Sequence, residues 1–205
     1  MAAREPLNRA KVVTAALALV ERHGVEALSM RKLAAELGVE AMSLYNHVKN
    51  KDDVLDAIAE VVFADISLPP TTPDWRADAH ALADAFREAA LAHPRTASLS
   101  LTRQLGYPAI PVTEAALGIL SRAGYDLERA VHASRALLAY VIGTLLREMG
   151  STSADPDGLR ETALAATGLP HVTASAAHLA VCHHESEYRF GLDLLLDALA
   201  LRAAG

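Results

Sequence analysis

SMRKLAAELGVEAMSLYNHVKNK, residues 29–51, reads as two short helices joined by a tight turn. The Ser29 hydroxyl can accept an amide N–H of the first turn, which is what a helix start needs. Leu33, Ala34 and Leu37 recur at helical spacing, so the first helix has one apolar face. Gly38 ends it, because glycine enters the left-handed backbone region without a Cβ clash. Val39 then packs inward, and the spacing predicts a second helix over Glu40–Val48 with Leu44 and Val48 as its inner face. That leaves Ala41, Met42, Ser43, Tyr45, Asn46 and His47 largely outward. Small, polar and aromatic groups followed by Lys49 and Lys51 suit a DNA major groove and its flanking phosphates. Periodicity alone fits an ordinary helical hairpin as well.

Charge is distributed unevenly around this stretch. The chain has 205 residues and a formal net charge of −6, which over its whole length argues against nucleic acid. Residues 1–51 hold 8 Lys+Arg against 5 Asp+Glu, a net of +3, and the rest holds 11 against 20, a net of −9. All four lysines, Lys11, Lys32, Lys49 and Lys51, lie in the first part. The basic charge therefore sits with the hairpin, where phosphates would dock.

The stretch is more specific than its periodicity. MRKLAAELGVEAMSLYNHVKNKDDVLDAIAE, residues 30–60, resembles the signature TRKLA-LGV-LYWHVKNK of the TetR family of repressors. The resemblance implies an all-α protein: an N-terminal three-helix helix-turn-helix DNA-binding domain (1–50), a connecting helix (51–68) and an α-helical ligand-binding and dimerisation domain (69–205). It also implies roles. Arg31 matches an arginine that reaches a base or phosphate, and Ser43 a small hydroxyl facing the groove. Tyr45 and His47 match residues that contact phosphate, and Lys51 the phosphate-binding lysine of the fourth helix, with Lys49 adding charge nearby. The chain departs from the tetracycline-responsive members, which have Gln-Pro where it has Ala41-Met42, Trp where it has Asn46 and Thr where it has Met30. The bidentate base reading of that glutamine is lost. Ala41 and Met42 can instead meet thymine methyls, and Asn46 can pair with adenine.

The rest of the chain reads as helices and breaks. Asn8 caps a first helix to about His23, with Val12, Ala16, Leu19 and Val20 inward and Gly24 as its stop. Val25 and Leu28 anchor the connection. Asn50 caps a fourth helix, with Asp53 in its first turn, running from Lys51 to Ile66 with Val54, Ile58, Val61 and Val62 inward. SLPPTTPD is a proline-rich break. Asp74 caps a helix from Trp75 to Ala92 that His93-Pro94 ends, and a short helix follows over Ala97–Gln104. Helices are expected over Val112–Ala123, Leu127–Met149, weakly over Leu159–Ala166 and Ala174–Cys182, and over Glu185–Leu201 with Phe190, Leu194 and Leu195. Ala136–Leu146 is apolar on nearly every side, which predicts burial against the chain's own body and against a partner. Strand signals are absent.

The effector candidates are implied by the resemblance: Phe86, Leu101, Arg103, Gln104, Tyr107, Tyr140, Thr144 and Arg147 fall on segments that line the cavity in similar proteins. Arg103, Gln104, Tyr107, Thr144 and Arg147 would be a few polar groups in an aliphatic wall, which fits a largely apolar small molecule. No metal or other cofactor is expected. His183-His184 lacks the i,i+4 spacing of a helical ligand pair, although His178 and Cys182 have it. The position of the metal-chelating histidine of tetracycline-responsive members is Ser100 here, a poor ligand for a transition metal. The longest apolar run, Ala136–Ile142, is far short of the roughly 18 residues of a membrane span. MAAREPLNRAK lacks a signal core, and Cys182 is the single cysteine. These features fit a soluble cytoplasmic protein.

The expectation is a homodimeric, ligand-responsive transcription regulator, a repressor released from a palindromic double-stranded DNA operator by a small molecule. The alternative is an all-α small-molecule sensor or interaction module that does not bind DNA. An enzyme is disfavoured, since no phosphate-cradling Gly-rich loop and no GxSxG elbow are present.

Overall fold

The computed structural model describes residues 6–64, 66–97, 110–150, 155 and 157–203, and among them every regular element is helical. The chain forms two compact units, Met1–Ile119 and Leu120–Gly205.

In the first unit, α1 spans Arg9–His23, α2 Met30–Leu37, α3 Ala41–Leu44, α4 Lys51–Ala64 and α5 Trp75–Ala92, with a 3-10 turn at Val25–Ala27. Local chemistry sets these boundaries. Asn8 accepts the Lys11 amide and Ser29 the Lys32 amide, while Asp74 accepts those of Arg76 and Ala77. Gly38 takes φ 63°, ψ 39°, and its N–H and that of Val39 close the last carbonyls of α2. Helix ends carry unpaired backbone groups, and these contacts satisfy them. Val12, Ala16, Val20, Leu33, Leu44, Val48, Val54 and Ile58 form one core in which α1 packs on both α2 and α4. Burying each of the valine, leucine and isoleucine side chains among them stabilises the unit by roughly 1.5–3 kcal/mol.

The structure corrects several expectations. The second helix of the hairpin is regular only over Ala41–Leu44, and residues 45–47 continue as a turn. Tyr45 N–H bonds the Met42 carbonyl and His47 N–H the Leu44 carbonyl, a tighter i→i+3 pattern. Ala41 is half-buried against the core rather than outward. α4 ends at Ala64, and Ile66 is buried outside it. Val61 is 41% exposed, while Leu55 and Ala57 take inward positions. Helical structure resumes at residue 94, earlier than Ala97. Pro94 ends one helix and suits the first turn of the next, where an N–H is not needed. The remainder of the Ala97–Gln104 helix lies outside the described residues. The turn at 94–97 is tied to the end of α1: Arg95 Nη1 donates to the Arg22 carbonyl (2.8 Å), and the Thr96 amide donates to Glu21 Oε1 (2.9 Å).

α6, Ile110–Arg122, crosses the division between the units. In the second unit, α7 spans Leu127–Gly150, α8 Leu159–Ala165, α9 Pro170–Ala174, α10 Ala176–Ala180 and α11 His184–Ala203. Asp126 caps α7 by accepting the Arg129 amide (2.8 Å). α7 packs on α11, and α8 packs on α9 and α10. Tyr140 locks the first pair: its hydroxyl donates to the carbonyls of Glu187 (3.1 Å) and Tyr188 (2.8 Å), and its ring stacks on Tyr188 at 6.4 Å. Gly191 makes this possible, since a Cβ there would lie 2.2 Å from the Tyr140 Oη. Tyr188, Leu192 and Leu196 form the buried side of α11, while Phe190 and Leu194 are 68% and 55% exposed. No described helix is long and apolar enough to cross a membrane.

Candidate nucleic-acid interface

Gly38 turns the chain sharply between α2 and α3, and the buried Leu44 and Val48 seat the second element on the core. With the inner face fixed, the remaining side chains point away. Met42 is 73% exposed and Tyr45 47%, and Asn46 and Lys49 are exposed too. The structure leaves these four exposed along one short stretch, α3 and the turn and bend that follow it. Ser43 and His47 are half-buried at its edge, and Arg31 is exposed on α2. An exposed methionine and tyrosine have little to gain from water, and both offer apolar or aromatic surface to a base edge or sugar.

The cations divide into two sets. Arg31, Lys32 and Lys49 make no ion pair among the described residues, so their charge is available to a polyanion. Others are engaged within the fold. Arg22 pairs with Glu36 at 2.5 Å and Arg9 with Asp53 at 2.9 Å. Lys51, expected at a phosphate, is half-buried, and its ammonium donates to the Val25 carbonyl at 3.4 Å. Two further donors remain on that ammonium, so the contact anchors the side chain without consuming it. Composition had located the basic charge, but not which cations the fold neutralises. Lys32 enters the exposed set only through the structure.

The effector candidates are differently placed. Phe86 is buried on α5 in the first unit. In the second unit the Thr144 hydroxyl bonds back to the Val141 carbonyl of its own helix (2.8 Å), and Arg147 pairs with Glu187 at 2.5 Å. Tyr140, Thr144 and Arg147 thus already have polar partners within α7 and α11. Leu101, Arg103, Gln104 and Tyr107, like Ser100, lie outside the described residues. An open cleft of about 580 Å³ between α7 and α11 is lined by Tyr125, Arg129, His132, Ala136, Leu199 and Arg202 among others, and by none of the candidates. Sequence reasoning missed it, because no spacing marks residues that meet across two helices.

His178 and Cys182 do not share a helical face: α10 ends at Ala180, and Val181 is extended. The Cys182 sulfur lies 3.3 Å from His184 Nδ1 and 3.4 Å from Glu187 Oε2. Burial first, and then the Glu187 carboxylate, raise the pKa of the thiol. A thiol held protonated is a weak metal ligand.

A helix-turn-helix with an exposed reading face and uncompensated cations beside it defines a DNA-binding regulator. Residues 12–58 match the family of bacterial regulatory proteins, tetR family, and residues 68–202 match the tetracyclin repressor-like C-terminal domain. The chain belongs to the TetR family, and it is a ligand-responsive, DNA-binding transcriptional regulator. An HTH-type transcriptional regulator of Saccharopolyspora erythraea is 41% identical over 156 residues, 75% of this chain and just under two thirds (66%) of that relative. The tetracycline repressor protein class A from transposon 1721 of Escherichia coli is 32% identical over 194 residues, 93% of this chain and 89% of that one. Among solved structures, Streptomyces coelicolor ActR in complex with actinorhodin superposes with a TM-score of 0.86 at 26% identity, covering 98% of this chain and 100% of ActR. Regulators of this family bind DNA operators and small-molecule ligands and form dimers, and they are not enzymes.

Proposed function

We propose that the protein is a homodimeric repressor whose two hairpins enter successive major grooves of a palindromic operator, and that a largely apolar small molecule releases it without a metal ion. In this reading residues 1–50 read DNA, 51–68 connect, and 69–205 bind effector and dimerise. The observation that carries the DNA half is the exposed face of Met42, Tyr45, Asn46 and Lys49, flanked by unpaired Arg31 and Lys32. Dimerisation is supported by α11, where Phe190, Leu194 and Leu201 are exposed at spacings of four and seven, one stripe of a helix. Half-site centres then lie roughly one helical turn apart, about 34–36 Å.

The effector half rests on chemistry. The body is rich in Leu, Val and Ala and poor in aromatics, which makes a chiefly aliphatic cavity wall. That ActR is solved with actinorhodin supports a ligand-accepting body here. Binding releases DNA only if it favours one separation of the hairpins over the other. The fourth helix, α4, packs on both α1 and α5 and is the element that can carry such a shift. The experiment is release of operator DNA by a panel of uncharged apolar compounds, with and without excess EDTA. Release that is indifferent to EDTA is expected. Release that disappears with EDTA and returns with Mg²⁺ would contradict the metal-free reading.

A further inference from the structure

We propose that Arg9 and Asp53 form a clamp that sets the direction of the reading element, and that Arg9, although an exposed cation of a DNA-binding head, is a positioning residue and makes no phosphate contact. The proposal rests on the DNA-binding reading above and assigns a role to two residues outside the reading face.

The geometry joins the start of α1 to one stretch distant in sequence, residues 47–53, which holds both the exit of the turn and the first turn of α4. Arg9 is the first residue of α1, and Asp53 stands in the first turn of α4. Arg9 Nη2 donates to Asp53 Oδ1 at 2.9 Å and Nη1 to Oδ2 at 3.1 Å, the two-pronged arrangement that restrains angle as well as distance. The same Nη1 donates to the His47 carbonyl at 3.2 Å, and Asp53 Oδ2 also accepts the Lys49 amide at 2.7 Å. Asn50 closes the set by accepting the Asp53 amide at 2.9 Å. The backbone on both sides of the buried Val48 is therefore gripped by one ion pair. That backbone is the exit of the turn carrying Tyr45, Asn46 and His47. α3 is a single helical turn of four residues and cannot fix its own orientation over so short a length. The clamp supplies orientation from α1 and α4.

The same bonds remove Arg9 from the set of cations offered to DNA. A phosphate would have to displace a carboxylate that already fills the guanidinium fork. The Arg9 hydrogen bonds, and then the Lys49 amide, lower the Asp53 pKa to about 2. Since this folded value lies below the ordinary carboxyl value, the clamp's contribution is complete above that value and is lost only as pH falls through it towards 2. At the neutral pH of DNA-binding measurements the pair is closed.

A phosphate contact and a clamp predict opposite results. The measurement is fluorescence anisotropy against an operator selected from random-sequence DNA and against a scrambled duplex, over a range of salt. Arg9→Lys keeps the charge and loses the fork. The clamp predicts that it weakens operator binding about tenfold, the size of losing a charge-assisted hydrogen bond, and leaves scrambled-duplex affinity and the salt slope unchanged. Asp53→Asn removes a negative charge near DNA, yet the clamp predicts the same selective loss. The exchange Arg9→Asp with Asp53→Arg should restore part of the discrimination. The proposal is overturned if Arg9→Ala lowers the salt slope by about 0.9 for each lost phosphate contact, if Arg9→Lys binds operator like wild type, or if Asp53→Asn tightens operator binding. If random DNA yields no operator for the wild type, the DNA-binding reading falls and the clamp's role with it. An operator bound normally by these variants sinks the clamp alone.

Discussion

Leu44→Ala is expected to abolish operator binding while leaving the second unit folded. Leu44 is the one fully buried side chain of α3, with no exposed surface. Truncating a leucine in such a site costs about 2–5 kcal/mol, from lost transfer energy and from the cavity left behind. Against a typical total of roughly 5–15 kcal/mol for a domain, that is a large fraction. The damage is also local: the shortest helix of the head loses its seat on the core it shares with α2. Thermal unfolding should show a lower first transition, with operator affinity lost well below it. Met42→Ala, two residues away and 73% exposed, should leave stability within about 0.5 kcal/mol and alter only DNA preference. A Leu44→Ala protein that melts and binds like wild type would mean that α3 is not held as described.

Leu194→Asp is expected to split the dimer without unfolding the chain. Leu194 is 55% exposed, between Phe190 at 68% and Leu201 at 80%. A carboxylate there costs the isolated chain little, because water reaches it. In a helix-on-helix interface with its two-fold copy it would be an unpaired buried charge, which an interface does not tolerate. Light scattering should give twice 21.7 kDa for the wild type and that mass itself for the variant. Operator affinity should fall by about 10²–10⁴, because the second half-site contact ceases to be intramolecular. A variant that remains dimeric at micromolar concentration would place the interface elsewhere.

The parts of the fold that depend on neighbours in sequence were legible without coordinates. Asn8, Ser29, Asn50 and Asp74 accept the first-turn amides that their side chains predict, because a cap is a contact across two or three residues. Gly38 adopts the left-handed backbone its position required. What could not be read depends on contacts distant in sequence. The reading helix is shorter than its periodicity, since Tyr45 to His47 are held as a turn, with Arg9 on the His47 carbonyl. Asp53 was legible as a first-turn carboxylate of the fourth helix, and it is also half of an ion pair spanning 44 positions. On α11 the apolar positions could not be sorted into those that face α7 and those that face out, because leucines and alanines occur on both sides. Tyr140 fitted an effector wall by resemblance, but only the coordinates show its hydroxyl engaged by α11. Pro94 was read as a stop, although the same ring is a good start.

The central claim is that residues 41–49 of a dimer read DNA, and selection from random-sequence duplexes tests it most directly. Wild-type protein should enrich a palindrome with half-site centres about 34–36 Å apart. Its affinity should fall steeply with salt as counterions are released. The Met42→Ala, Asn46→Ala double variant should keep the salt slope but enrich a different or looser half-site. Enrichment of no sequence by the wild type, or of the same half-site with equal discrimination by the double variant, would contradict the account.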